Sequence, residues 1–536
     1  MTKQRTSGNS AILGLRRWLR SSANRWRLAL LVFVIAYGAF LLGSGFVVIQ
    51  WDEMSHLRGG QLLAQGRVTD YVQSYGYYPP IYDLLTTGYF RLFGVSAEVG
   101  RLAAVTFAVF SVVLVFEFAH RTYGPKVALL SAVLLGAMPG FFWVSKFAML
   151  ESALIFFFTL TLFFFLSWIR VDKNKTLILS ALALGVGFLT KYQIVVAGIV
   201  MAAAILWLCR DRLWARFSKF TVLALAAVLI VVPWLFVVGF GRGSDLLYAI
   251  TAGGEDRIAY SQRFGPFALP VFYLIEMTWP YYNTHPIFLP LFVLGLLGLG
   301  LFAWRRKTED KFFLAWFVIV YAFFTFIPNK QWRYVVPLFP VLAISAGSFL
   351  IFSFGKLQNV WRSAAAGLRR RRWVKVAALA LAAFTVGSLA YSFYDGYQWT
   401  ARYFINVPVS EATNFAASQL SQNESIAVLC PNNSFDDDMV RFFLESNESR
   451  RNVVWQYPAL AVDAFTPDFN ATTLVSLCEE RNAKFVLLFE YGNSVPYFNS
   501  TLTTAQVWDE MNSTGRFSYV TYVGEVPRAI FILSFT

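Results

Sequence analysis

Residues 28–56 read LALLVFVIAYGAFLLGSGFVVIQWDEMSH. Residues 28–49 carry no charge and, at about 20 apolar residues per crossing, are long enough to span a bilayer; two adjacent acids, Asp52 and Glu53, follow at once. This stretch decides the fold class, because runs like it recur from residue 28 to about 394, the pattern of an α-helical polytopic membrane protein. A basic segment (Lys3, Arg5, Arg16, Arg17, Arg20, Arg25, Arg27) precedes the run, but no small-residue cleavage site follows it. A retained first helix is therefore expected rather than a signal peptide.

Working outward, the 536 residues are 57% apolar and 18% aromatic, with only 14% charged. Soluble domains average roughly 45–50% apolar and 25% charged, so water is not the solvent of most of this chain. The net charge of +15 does not signal nucleic acid, because it is unevenly placed: residues 1–394 hold 38 Lys and Arg against 15 Asp and Glu, whereas residues 395–536 hold 8 against 16.

Six basic clusters carry 27 of those 38 cations: the N-terminal tail, Arg121 to Lys126, Arg170 to Lys175, Arg210 to Lys219, Arg305 to Lys311, and Lys356 to Lys375. Short loops rich in Lys and Arg stay cytoplasmic, so each neighbouring pair should enclose an even number of passes. Spans at 28–49 and about 101–118 flank a large first outer loop; hairpins are expected over 127–169, 177–209 and 312–355, two spans around a long outer loop over 220–304, and a last span near 376–394. The count comes to about eleven transmembrane helices. The expected layout is a cytoplasmic tail (1–27), a membrane domain (28–394) with a large first outer loop (50–100), and an extracytoplasmic C-terminal α/β domain (395–536). The 33 residues of 177–209 are short for two passes; a single pass, however, would leave Lys191 near the midplane at a cost of about 2.5–3.5 kcal/mol.

Six N-x-[ST] triplets in the tail, at Asn423, Asn432, Asn447, Asn470, Asn499 and Asn512, against one before it, at Asn174, agree with an exported tail. Strands are expected at Ser425 to Cys430, Asn452 to Gln456, Lys484 to Glu490, Phe517 to Val523 and Ala529 to Phe535, and helices over 436–446 and 473–483. Of three cysteines, Cys209, Cys430 and Cys478, the last two would pair in an oxidising compartment or remain buried thiols.

Under this topology the ionisable residues collect at span ends on one side: Asp52 and Glu53, Lys146 and Glu151, Lys191, Lys330 and Arg333. Acids and cations converging there would suit a centre where a carboxylate accepts a proton and cations hold a phosphate. Outer loops also need charge simply for solubility. If residues 51–56 are helical, His56 lies one turn beyond Asp52 and Glu53. The segment Tyr77-Tyr78-Pro79-Pro80-Ile81-Tyr82 would form a stiff aromatic shelf for sugar or isoprenoid, or an interfacial anchor.

Asp52-Glu53 after the first helix, "HLRGGQLLAQGRV", "YYPPIYDLLTTGYFRLFG", Arg101, "FAMLESALIFF", "LTKYQ" and "NKQWRYVVPLFP" resemble, in that order, the polyprenyl-phosphate-sugar-dependent glycosyltransferases of the GT-C fold. More narrowly they are similar to the protein O-mannosyltransferase and aminoarabinose-transferase superfamily. The likeness covers about residues 28–345; the Trp-Trp-Asp-Tyr-Gly motif of oligosaccharyltransferases is absent. It implies inverting transfer of a sugar from a dolichyl or undecaprenyl phosphate to a protein, lipid or glycan acceptor on the outer face. Carried over by position, the acidic motif falls on Asp52 (general base) and Glu53, a second acidic position on Glu151, and carrier-phosphate contacts on Arg101, Lys191, Lys330 and Arg333. Tyr77, Tyr78, Pro79, Pro80 and Tyr82 would line the donor groove, with His56 and His285 on the acceptor side.

A sugar on a phosphodiester is already activated, so no nucleotide or redox cofactor is required. Asp52, Glu53 and Glu151 could also hold Mg²⁺ or Mn²⁺, since such sites use the same residue types as metal-free acid–base chemistry. A transporter or flippase of a lipid-linked glycan is the alternative; that class usually shows inverted repeats, which this sequence lacks. A non-catalytic scaffold would leave Asp52 and Glu53 without a role.

Overall fold

The computed structural model describes residues 22–43, 51–250, 271–278, 285–327, 331–363, 368–403, 407–429, 435–446, 452–457, 469–490, 503–526 and 528–536. The helices up to residue 403 are α1 (Ser22–Gly43), α2 (Trp51–Ala64), α3 (Val68–Tyr75), α4 (Ile81–Phe93), α5 (Ala97–Tyr123), α6 (Pro125–Ala137), α7 (Pro139–Lys146) and α8 (Leu150–Val171). After these come α9 (Asn174–Phe188), α10 (Val195–Leu208), α11 (Leu213–Ile250), α12 (Phe272–Glu276), α13 (Leu289–Arg305), α14 (Thr308–Phe326), α15 (Leu338–Arg362) and α16 (Leu368–Tyr403). The C-terminal region adds α17 (Val409–Gln419), β1 (Ser425–Leu429), α18 (Asp437–Leu444), β2 (Val454–Tyr457), α19 (Ala471–Glu480), β3 (Ala483–Phe489), α20 (Thr504–Ser513), β4 (Phe517–Glu525) and β5 (Arg528–Phe535).

The chain divides into two compact units: Met1–Ser44, Gly76–Ile81 and Ala104–Thr400 form one, and Gly45–Tyr75, Tyr82–Ala103 and Ala401–Thr536 the other. Most of residues 50–100 thus group with the C-terminal region. The physical reason is a set of polar bonds between α2 and α18, described below.

Six helices among the described residues are long and apolar enough to cross a membrane: Arg25–Gly43, Ala97–Tyr123, Leu150–Val171, Arg210–Val238, Leu338–Arg362 and Arg371–Ala401. The pair α6 and α7 would make a seventh, bent by 67°. The bend falls at Pro139, which has no N–H to continue the helix. Three shorter apolar helices lie over Asn174–Phe188, Tyr192–Leu208 and Leu289–Arg305. Two of them fill 174–208 with a turn at Thr190 and Lys191, closed by the Lys191 N–H donating to Gly187 O at 2.8 Å.

The basic loops gather at one end of these helices. Arg170 donates to Arg121 O and pairs with Glu309, while Arg216 and Lys219 both bond Asp172, at 2.6 and 3.2 Å. Residues from four of the six basic clusters therefore meet. Small residues bring the helices close. Gly298 of α13 faces the Ser345 carbonyl of α15, with no room for a Cβ, and Ser345 Oγ donates to Gly295 O at 2.9 Å.

In the second unit the sheet order is β2-β1-β3-β5-β4. β2, β1 and β3 run parallel, with Ile426 opposite Val454; β5 and β4 are antiparallel, with Leu487 of β3 opposite Ile532. β1 is buried along its whole length, as expected of a central parallel strand covered by helices. The five strands lie within two residues of the stretches read from sequence; α17 and α20 were not anticipated. Leu474, Cys478, Val486, Val507, Met511 and Leu533 belong to the core, where burial pushes the Cys478 thiol up to about 12. Cys430 lies outside the described residues, and with it the pairing raised above. Asn423, Asn470 and Asn512 are exposed, whereas Asn432, Asn447 and Asn499 lie outside the described residues.

Candidate functional site

Helix α2 opens with the acidic pair in its first turn, where unsatisfied N–H groups favour negative charge. The two acids then part company. Glu53 is fully buried and takes two bonds from Arg101, Nε to Oε1 at 2.6 Å and Nη2 to Oε2 at 2.9 Å. Asp52, one position earlier, stays partly exposed. The two neighbouring carboxylates thus differ in burial, Glu53 inside and Asp52 at the edge. Arg101, expected to contact the carrier phosphate, pairs with Glu53 and so ties α2 to the start of α5.

His56, one turn on from Asp52, is buried, and its Nδ1–H donates to Asp83 Oδ1 at 2.9 Å. Asp83 also accepts from Tyr71 OH at 3.0 Å. Sequence reading missed Asp83 and Tyr71. The signal was the Gly59-Gly60 pair: a Cβ at 59 would stand 3.0 Å from Asp83 Oδ2 and one at 60 would stand 2.6 Å from Thr86 Cγ2, so both glycines let α4 approach α2. Tyr82, placed in the donor groove from sequence, is instead buried, with its ring 5.3 Å from that of His56. It is a packing residue of the second unit.

The first unit brings together three other residues singled out from sequence. Glu151, in the first turn of α8, is buried; Lys191 Nζ lies 2.7 Å from its Oε1, and Arg333 Nη1 lies 3.7 Å from the same oxygen. Three separate places in the chain supply them: the first turn of α8, the turn between α9 and α10, and the 3₁₀ turn Trp332–Val335. Arg333 is steered further by Gln331 Oε1 at 3.0 Å and by the Trp143 ring, 6.0 Å from its guanidinium carbon.

The aromatic shelf is pinned to this cluster. Tyr192 OH donates to Tyr77 O at 3.1 Å, and the Ile81 N–H donates to Leu189 O at 2.9 Å. Tyr77 and Tyr78 are half-buried with ring centroids 4.3 Å apart; Pro79 and Pro80 are buried. Two cations sharing one carboxylate oxygen, beside an aromatic shelf, can accept an anion of larger charge than the carboxylate neutralises.

Other expectations are placed elsewhere. His285 Nδ1 lies 3.4 Å from Asp395 Oδ2, and no described contact ties it to Glu151. Lys146 is buried and donates to Leu41 O in the last turn of α1 at 2.5 Å, a helix-end role. Lys330 lies outside the described residues. A divalent-cation site does not fit the arrangement, because Glu53 is bonded to Arg101, His56 to Asp83 and Glu151 to Lys191. Among the described residues no three His, Cys, Asp or Glu side chains assemble to hold a metal.

The family model described as dolichyl-phosphate-mannose-protein mannosyltransferase matches residues 78–236. An undecaprenyl phosphate-α-4-amino-4-deoxy-L-arabinose arabinosyl transferase from Edwardsiella ictaluri is 27% identical over 279 residues, 48% of this chain and 47% of that one. A counterpart from Pseudomonas aeruginosa is 26% identical over 354 residues, 62% and 60%. The chain thus spans about half the length of the curated relatives it matches. Among solved structures, ArnT from Cupriavidus metallidurans superposes with a TM-score of 0.61 at 16% identity, covering 96% of this chain and 98% of that one. The oligosaccharyltransferase AglB from Archaeoglobus fulgidus, in complex with an inhibitory peptide and a dolichol-phosphate, gives 0.53 at 13%, covering 88% and 70%. The fold is therefore that of the GT-C polyprenyl-phosphate-sugar glycosyltransferases, as the motifs implied.

Proposed function

We propose that this GT-C-fold chain transfers one sugar, with inversion, from a polyprenyl phosphate to an acceptor on the extracytoplasmic face of a membrane. The observation that carries the reading is the convergence of Lys191 and Arg333 on Glu151 beside the Tyr77–Pro80 shelf. Support also comes from the names of the similar proteins: the family model and the curated relatives specify different sugars, but every donor they name is a sugar on a polyprenyl phosphate. ArnT from the same Cupriavidus species has also been solved bound to undecaprenyl phosphate.

In this mechanism Asp52 removes the proton from an acceptor hydroxyl. The hydroxyl oxygen bonds the anomeric carbon as the bond from that carbon to the phosphate oxygen breaks, and polyprenyl phosphate leaves with the electron pair. Charge grows on the departing phosphate, so Lys191 and Arg333 stabilise the transition state more than the ground state. Glu151 sets the spacing of those cations. Glu53, Arg101, His56 and Asp83 hold the helix that carries the base.

The proposed topology puts the N-terminus and the basic loops in the cytoplasm and residues 395–536 outside. Its eleven passes are the six long apolar helices, the bent α6–α7 pair, the three shorter apolar helices and α14.

The test is incubation of purified protein with radiolabelled polyprenyl-phosphate sugars and acceptor membranes. Movement of label from the carrier to an acceptor is the expected result. Carrier binding or flipping with no cleavage of the sugar–phosphate bond would replace the reading with a transporter.

A further inference from the structure

The C-terminal region still lacks a task, and its contacts with the acidic helix supply one. We infer that α18 is a clamp on α2, with Glu445 the positioning residue that fixes the helix presenting Asp52; the effect on catalysis rests on the function proposed above, the clamp itself does not.

Glu445 follows the last residue of α18. Its Oε1 accepts from Arg58 Nη2 at 2.8 Å and its Oε2 from Arg67 Nη1 at 2.5 Å, so a single carboxylate bridges the middle of α2 and the chain just beyond it. Two amides take up carbonyls at the same helix end: Gln61 Nε2 donates to Phe442 O and Gln65 Nε2 to Glu445 O, both at 3.0 Å. Helix ends leave their last carbonyls without intrahelical partners, and here α2 and the turn after it provide the donors. Arg58 also bonds Gln61, and Tyr75, which ends α3, bonds Asp438. Phe90 of α4 meets Phe442, ring centroids 6.3 Å apart.

The chemistry of the contact argues for positioning over mere adhesion. The Arg58 side chain is 3% exposed and that of Glu445 11%. A buried ion pair adds little net stability compared with apolar packing of the same volume, and its best-attested use is to fix register. Arg58 lies six residues, about 9 Å of helix rise, beyond Asp52. Bonds at 58 and 61 therefore fix the rotation and the axial position of the rigid helix whose first turn holds the base.

The test uses the full chain carrying Glu445→Gln or Glu445→Asp. Glu445→Gln should raise amide exchange across residues 52–64 about 10-fold or more while leaving α8 and α15 unchanged. It should lower kcat by about 10-fold or more, since small misplacements of reacting groups are costly, and leave KM for the donor within about 2-fold. Glu445→Asp, which keeps the charge, should recover most of both effects. Unchanged exchange over 52–64, or a rise of similar size throughout the chain, would overturn the clamp. If Glu445→Gln does not fold, Gln65→Ala removes one bond without stranding a buried charge, and the same outcomes apply. Wild-type protein that transfers no sugar defeats the proposed function, while the exchange measurement still decides the clamp.

Discussion

Glu53 and Arg101, 48 residues apart, form a two-point ion pair with the carboxylate fully buried and the Arg101 side chain 5% exposed. Removing one partner strands the other charge out of water. Arg101→Met or Glu53→Gln alone should therefore cost about 3–5 kcal/mol of stability, while the double variant Glu53→Leu, Arg101→Met should recover much of it. Denaturant unfolding in detergent micelles measures this; a loss in the double variant equal to the sum of the two single losses would mean the pair is not coupled.

Lys191 is predicted to act on chemistry. Lys191→Met removes a cation from the proposed phosphate site and should lower transfer by about 10²–10³-fold, the size of a lost oxyanion donor. Arg333→Met should do the same. Lys191→Arg should retain part of the rate. Initial rates at saturating acceptor, with carrier-lipid binding measured alongside, separate a chemical from a binding effect.

Glu276, in the short helix α12, is 4% exposed, its Oε2 has no hydrogen-bond partner among the described residues, and burial pushes its carboxyl up to about 7. The unfolded chain releases this proton near the ordinary value of 4.5, so stability falls between about pH 4.5 and 7 and is level above that. Glu276→Gln should therefore raise stability at pH 8 by up to about 3 kcal/mol and have little effect at pH 4.5. Thermal melts at the two pH values check the sign; destabilisation at pH 8 would show that the ionised group has a use.

Gly60 and Gly88 should respond oppositely to alanine. A Cβ at 60 would lie 2.6 Å from Thr86 Cγ2, whereas one at 88 meets nothing within 4 Å among the described residues. Gly60→Ala should destabilise by about 1–3 kcal/mol through overpacking. Gly88→Ala should be neutral or add up to about 1 kcal/mol of helix propensity. Matched melts of the two variants test the close approach of α2 and α4.

The membrane class, the basic-loop ends of the helices and the strands of the tail were legible because they rest on hydropathy, charge and period, which are properties of short stretches. Glu151, Lys191 and Arg333 could be placed at span ends on one side, but it is the fold that brings these three together. What could not be read was pairing. Glu53 and Asp52 look alike in sequence, and only the fold gives one of them Arg101. Asp83 and Glu445 passed unnoticed because their partners lie 27 and 387 residues away. Tyr82 belongs to the same aromatic segment as Tyr77 and Tyr78, yet the helix that starts at Ile81 turns it into a core.

The most direct test is sugar transfer by Asp52→Asn protein, which keeps the shape of the side chain and removes the base. It should insert, fold and bind polyprenyl phosphate as the wild type does, and lose about 10²–10⁴-fold in rate, the usual worth of a general base. Transfer at the wild-type rate by a folded Asp52→Asn protein would contradict the account.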